Sequence, residues 1–191
     1  MSVGVLIAIV VVLAVVAFVW LTYNRLVAKR LAADNSWAQI DVALRRRHDL
    51  IPVLVETVKG YASHERTTFE NVSEARSGAV AAQGPPRRAA AESTLGRAVD
   101  GLLAVAEGYP QLEASDNFAG LQRELSDTED QIAITRRVYN DTVETYNTAI
   151  QIFPAVIVAR LFGFDAKDFF DAPAAAEQAP AVSLAPGNGA R

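Results

Sequence analysis

From Val3 to Tyr23 the chain reads VGVLIAIVVVLAVVAFVWLTY, with no charged side chain. An α-helix rises about 1.5 Å per residue, so about 20 apolar residues cross a hydrocarbon core of about 30 Å. The run meets that length. Trp20 and Tyr23 close it, and amphipathic rings concentrate at the membrane–water boundary. A cleaved secretory signal fits less well. Met1-Ser2 carries no Lys or Arg, and the run is longer than the roughly 7–15 residues of a signal core. Its bulky end, Val19-Trp20-Leu21-Thr22-Tyr23, offers no small-x-small cleavage site. The expectation is a retained single-pass anchor that meets the lipid bilayer through residues 3–23.

Charge predicts the orientation. Arg25, Lys29, Arg30 and then Arg45, Arg46 and Arg47 follow the run, and none precedes it. The flank richer in Lys and Arg stays in the cytoplasm. The N-terminus is therefore expected outside the cell (inner) membrane and residues 24–171 inside. The absence of cysteine agrees with a reducing compartment. The net charge of −4 conceals an asymmetry. Residues 23–60 carry seven basic and four acidic side chains, whereas 107–144 carry three basic and nine acidic. Such segments suit neighbours in one bundle, and equally suit solvated faces, because exposed pairs contribute only about 0–1 kcal/mol.

Apolar spacing is helical throughout and no strand pattern appears. Ala33, Trp37, Ile40 and Leu44 step by three or four, so the span can continue into the domain. Pro52 is expected to start a new helix, capped by Asp49, because proline in a helix interior costs about 3 kcal/mol. That helix would run through Gly60 to Ala75, carrying Ile51, Leu54, Val58 and Val72 on one face. Ser77 to Pro86 reads as a loop, and Arg87 to Glu107 as a third helix with Leu95, Val99, Leu102 and Ala106 in register.

The fourth helix has the clearest pattern. Phe118, Leu125, Ile132, Tyr139, Tyr146 and Phe153 recur every seventh residue. Leu121, Thr128, Thr135, Thr142 and Ala149 follow three residues behind the first five. Alternating large and small side chains let facing helices interdigitate. The seam suits packing inside one bundle or self-association between chains. Pro154 to Phe170 reads as an amphipathic closing piece that caps the bundle or touches the membrane, with few cations for the latter. Residues 172–191 are Ala/Pro/Gly-rich and are expected to be a disordered tail.

Recognisable chemistry is absent from the sequence. His64-Glu65 begins an H-E-x-x-H pattern, but Thr68 stands where the second histidine belongs. With two histidines and no cysteine, no metal is expected, and both histidines read as ordinary surface residues. No phosphate-binding loop or nucleophile elbow occurs. One arginine triplet in an acidic chain is weak for nucleic acid. No cofactor, nucleic acid or small-molecule substrate is expected.

Several segments carry a family resemblance. They are Tyr23-Asn24-Arg25-Leu26-Val27, Trp37-Ala38-Gln39-Ile40-Asp41-Val42, Arg46-Arg47-His48-Asp49-Leu50-Ile51-Pro52 and Glu56-Thr57-Val58-Lys59-Gly60-Tyr61-Ala62. Tyr139-Asn140, repeated as Tyr146-Asn147, then Phe153-Pro154 and Phe162-Gly163-Phe164 complete the set. From Val3 to Phe170 the chain resembles the LemA family. His48 departs from the Tyr usual there, and Val53 from a frequent Asn. The resemblance implies one N-terminal span, a bundle of about four long helices and no established enzymatic activity.

The expected fold is all-α, a transmembrane helix within 1–23 followed by an antiparallel four-helix bundle over 24–171. The candidate polar residues are Asp41, Arg46, Arg47 and Asp49, expected to cluster near the first helix turn, and Tyr139, Asn140, Tyr146 and Asn147 along the seam. They would fix helix register or contact a partner. The function expected is a membrane-tethered adaptor or assembly protein that is not an enzyme. A self-associating membrane scaffold is the alternative, and an enzyme with an unrecognised site the weakest.

Overall fold

A computed structural model describes residues 2–170. The tail expectation for 172–191 lies outside the described residues. The elements are α1 (Val3–Lys59), α2 (Arg66–Ala81), α3 (Pro85–Ala106), α4 (Pro110–Glu113), α5 (Asp116–Gln151) and α6 (Ala155–Leu161). No strand occurs among the described residues. The all-α expectation holds, with α1, α2, α3 and α5 running up, down, up and down.

The first helix is longer than the sequence suggests. It runs without a break from the apolar segment through Pro52 to Lys59, and 57 residues of helix rise about 85 Å. Proline cannot donate to the carbonyl four residues back, here His48. Arg76 of α2 does so instead: its Nε donates to the His48 carbonyl oxygen at 2.8 Å. Pro52 therefore does not begin a helix, and Asp49 is no cap. Replacing Arg76 by alanine is expected to cost about 1–3 kcal/mol, the penalty for leaving that carbonyl unpaired. The cost should shrink in a Pro52→Ala background, where the restored N–H bonds His48 directly. A urea-denaturation cycle on the four chains measures it, and equal costs in both backgrounds would refute the substitution of one bond for the other.

The helix also stops earlier than the expected run to Ala75. Residues 60–65 form the turn after α1, where Ala62 is fully buried and its N–H reaches the Val58 carbonyl at 2.9 Å. The reversal brings Val72 and Ala79 of α2 into the same core as Val58 and Ile51. The predicted loop over 77–86 shrinks to 82–84, since α2 continues to Ala81. Gly84 takes a φ of 78°, a region open to glycine, and Pro85 and Pro86 fill the first turn of α3.

The core has three storeys along the antiparallel α1–α5 pair. The distal storey joins all four long helices through Ile51, Leu54, Val72, Leu95, Leu102 and Phe118. The middle storey holds Ile40, Leu44, Ile132 and Tyr139. The proximal storey, nearest the apolar segment, joins Leu26, Tyr146 and Ile150 to Val158 and Ala159 of α6. The heptad register is observed down to Tyr146, whereas Phe153 is 79% exposed beyond the end of α5. The seam threonines satisfy their own hydroxyls: Thr128 donates to Glu124 O at 2.7 Å and Thr135 to Gln131 O at 2.9 Å. Each can therefore turn its methyl to the seam without leaving an unpaired donor.

Candidate functional site

Two polar assemblies and a smaller ion-pair tie sit on this scaffold, and the expected cluster of Asp41, Arg46, Arg47 and Asp49 is divided. Arg46 and Asp49 are exposed, while Arg47 is buried. Arg47 meets two acids: Nη1 lies 3.4 Å from Glu92 Oε2 of α3, and Nε 2.9 Å from Glu129 Oε1 of α5. His48 Nε2 lies 2.7 Å from the other Glu92 oxygen. His48 is 5% exposed, so it is not the surface residue its sequence context suggests. Three buried polar groups, Arg47, His48 and Glu92, thus meet in the interior, with the half-exposed Glu129 of α5 at its edge. Gly96, one turn beyond Glu92, makes the room: a Cβ there would sit 3.2 Å from Arg47 Nη2.

Burial raises the Glu129 pKa above its ordinary value; Arg47 opposes that rise, and Glu92 and Asp100 add to it. Beside it a groove of about 420 Å³ opens between α3 and α5, lined among others by Arg47, Asp100, Gln122 and Glu129.

Asp41 belongs to a separate tie. Burial disfavours its charge, but Arg45 and Arg88 outweigh that and hold its pKa below the usual carboxylate value. Arg88 Nη2 donates to Asp41 Oδ1 at 2.7 Å, and its Nη1 to the Ala79 carbonyl at 2.8 Å. One guanidinium thereby holds α1 and caps the last carbonyls of α2.

The second assembly is built by the Tyr-Asn repeat. The chain does not remain helical to Phe170 as an amphipathic piece. After α6 it turns at Gly163 and returns along α5. Tyr146 Oη donates to Asp165 O and Tyr139 Oη to Asp168 O, both at 2.8 Å. Asn147 holds Lys167 twice, donating to its carbonyl at 2.8 Å and accepting from its N–H at 2.9 Å. Asn140 Oδ1 accepts from Phe170 N at 3.0 Å. Residues one heptad apart on α5 thus read backbone positions three residues apart on a non-helical strap. Trp37 covers the strap, with ring centroids 5.4 Å from Tyr139 and 6.0 Å from Phe170. Burial, with Asp168 and Asp34 nearby, pushes the Tyr139 pKa up to about 12, so its hydroxyl stays a donor.

Sequence reasoning missed Glu92, Glu129, Arg76 and Arg88. For Glu92 a signal existed. It sits on the buried α3 stripe of Leu95, Val99 and Leu102, as Arg47 sits on the α1 stripe of Ile40, Leu44 and Ile51. Opposite charges on two apolar stripes imply a buried pair. No metal-binding group of acids and histidines occurs among the described residues.

The apolar end of α1 is exposed from Val3 to Phe18 and is long and apolar enough to cross a membrane. Fold and site together define a membrane-associated helical-bundle protein. Residues 36–184 match the LemA family, and the chain belongs to it. The chain is also similar to magnetosome protein MamQ of Magnetospirillum gryphiswaldense, 28% identical over 188 residues, covering 83% of this chain and 69% of that protein. Magnetosome proteins MamQ 1 and MamQ 2 of Paramagnetospirillum magneticum are similar to the same extent.

Proposed function

We propose that the chain is a single-pass, membrane-tethered adaptor or assembly protein without catalytic activity, its N-terminus outside and its bundle in the cytoplasm. The observation that carries this reading is the continuity of α1 from the apolar segment into the bundle core. A partner bound to the bundle is then held at a fixed height and angle to the membrane. Arg25, Lys29 and Arg30 directly after the apolar run support the orientation.

A second reading, self-association, is favoured by Ile134 and Val138. They lie one turn apart on α5, 60% and 43% exposed. Photocrosslinking in cells from these two positions and from Val80, exposed at the end of α2, separates the readings. A distinct protein captured from several positions is the result expected of an adaptor. Capture of the same chain alone, abolished by Ile134→Asp with Val138→Asp, would favour the scaffold. Silence from every position would count against both.

A further inference from the structure

The proximal end of the molecule holds a second apolar surface. Ile157 and Leu161 lie four apart, on one side of α6, and Phe153 stands just before its first turn. They are 59%, 73% and 79% exposed. The opposite side of α6 is committed: Val158 and Ala159 are buried against Leu26 and Tyr146. Small soluble faces rarely carry such a stripe uncovered.

Its position identifies what covers it. Val19, inside the apolar run, packs against the same proximal storey as α6. Phe162, at the end of α6, lies 5.0 Å ring to ring from Tyr23. Phe162 also lines a groove with Val15, Val16, Val19 and Trp20. These residues belong to the run that must lie within the bilayer or its boundary if α1 spans it. Four residues of helix separate Val19 from Tyr23, a rise of about 6 Å, and interfacial helices sit about 5–10 Å into the headgroup boundary. An element fixed against Val19 and Tyr23 therefore cannot stand clear of the lipid.

We infer that α6 is a second membrane-contacting element: its Ile157 and Leu161 side, with Phe162 at its end, enters the interfacial layer beside Trp20 and the occupant of this face is lipid. The inference rests on the reading of residues 3–23 as a membrane span. Arg160, exposed in the last turn of α6, and Arg25 of α1 are placed to meet headgroups at that level. The surface is continuous with the lipid-facing surface of α1, so no partner protein need be supplied to cover it. The anchor is then a helix and a wedge, and the wedge restrains rotation of the bundle about α1.

The chain has no cysteine, so single thiols report without background. The full chain carrying Ile157→Cys, Leu161→Cys, Val10→Cys or Val138→Cys is labelled with an environment-sensitive fluorophore. Each is reconstituted in phosphatidylcholine–phosphatidylglycerol vesicles with nitroxide lipids quenching at shallow or deep positions. The expected result is a blue-shifted signal at 157 and 161 that loses most of its intensity to the shallow quencher. Position 10 should be quenched by the deep one, and 138 by neither. Labels at 157 and 161 that behave like 138, while 10 is quenched, would overturn the inference and leave the span intact. A blue shift at 157 and 161 without lipid quenching would overturn it too, since protein then covers the face. An unquenched label at 10 would remove the span, and the inference with it.

Discussion

Replacing Glu92 by alanine is expected to destabilise the bundle by about 3–5 kcal/mol, because it strips both Arg47 and His48 of a buried partner at once. Glu92 is 5% exposed and lies between them, so little water reaches the groups it would abandon. Arg47 would keep only Glu129, which is half exposed, has an elevated pKa and is the weaker counterion. The loss comes mainly from stranding charge, and the native cluster need add little net stability of its own. A second variant separates these origins. Arg47→Met, His48→Leu and Glu92→Leu together remove the three fully buried polar side chains at the junction, leave Glu129 its open side to water, and should restore most of the stability. Urea denaturation of the full chain in detergent, followed by helical circular dichroism, measures both. A triple variant as unstable as Glu92→Ala would show that the three side chains are needed for their mutual bonding.

Tyr146→Ala should have an effect of the same order, about 3–5 kcal/mol, for a different reason. Its ring is 1% exposed and occupies the proximal storey between Leu26 and α6, so truncation opens a cavity that few neighbours can fill. Tyr146→Phe keeps the ring and loses only the bond to the Asp165 carbonyl, at about 1 kcal/mol. The two variants should also part in a second readout. In Tyr146→Ala the strap after Gly163 loses its footing, and limited proteolysis should cut between Asp165 and Phe170 well before the helices. In Tyr146→Phe the double hold of Asn147 on Lys167 should keep the strap resistant. Equal cleavage in both would mean that the hydroxyl, and not the ring, anchors the strap.

The parts of this fold that were legible in the sequence are those in which a single helix states its own pattern. The heptads from Phe118 to Tyr146 placed α5 within a few residues, and the uncharged run to Tyr23 marked the exposed part of α1. The misread parts depend on a distant partner. Pro52 looks like a helix start because the proline rule is local, whereas the donor that replaces its N–H comes from Arg76, 24 positions on. His48 looks solvated because it stands in a charged run, Arg45-Arg46-Arg47-His48-Asp49, and Glu92, which it meets inside the bundle, is 44 positions away. Tyr139, Asn140, Tyr146 and Asn147 could be singled out as a polar pattern, but their ligand is the backbone of residues 165–170. A backbone has no side-chain signature to read. The division of Asp41 from Arg47 likewise follows from helical phase: six residues apart, they face Arg88 and Glu92 at different points along α3.

If its apolar run spans the bilayer as proposed, the unbroken α1 makes bilayer thickness a coordinate of the bundle. A span longer or shorter than the local hydrocarbon layer adjusts by tilting. From Tyr23 to Lys59 the helix continues with Pro52 bridged by Arg76, so nothing along it absorbs a change of angle. That stretch rises about 54 Å, and a tilt change of about 10° carries the distal end sideways by about 9 Å. A thicker or thinner membrane thus displaces the far tip of the bundle by nearly the width of a helix, a gauge of lipid composition read at a distance from the lipid.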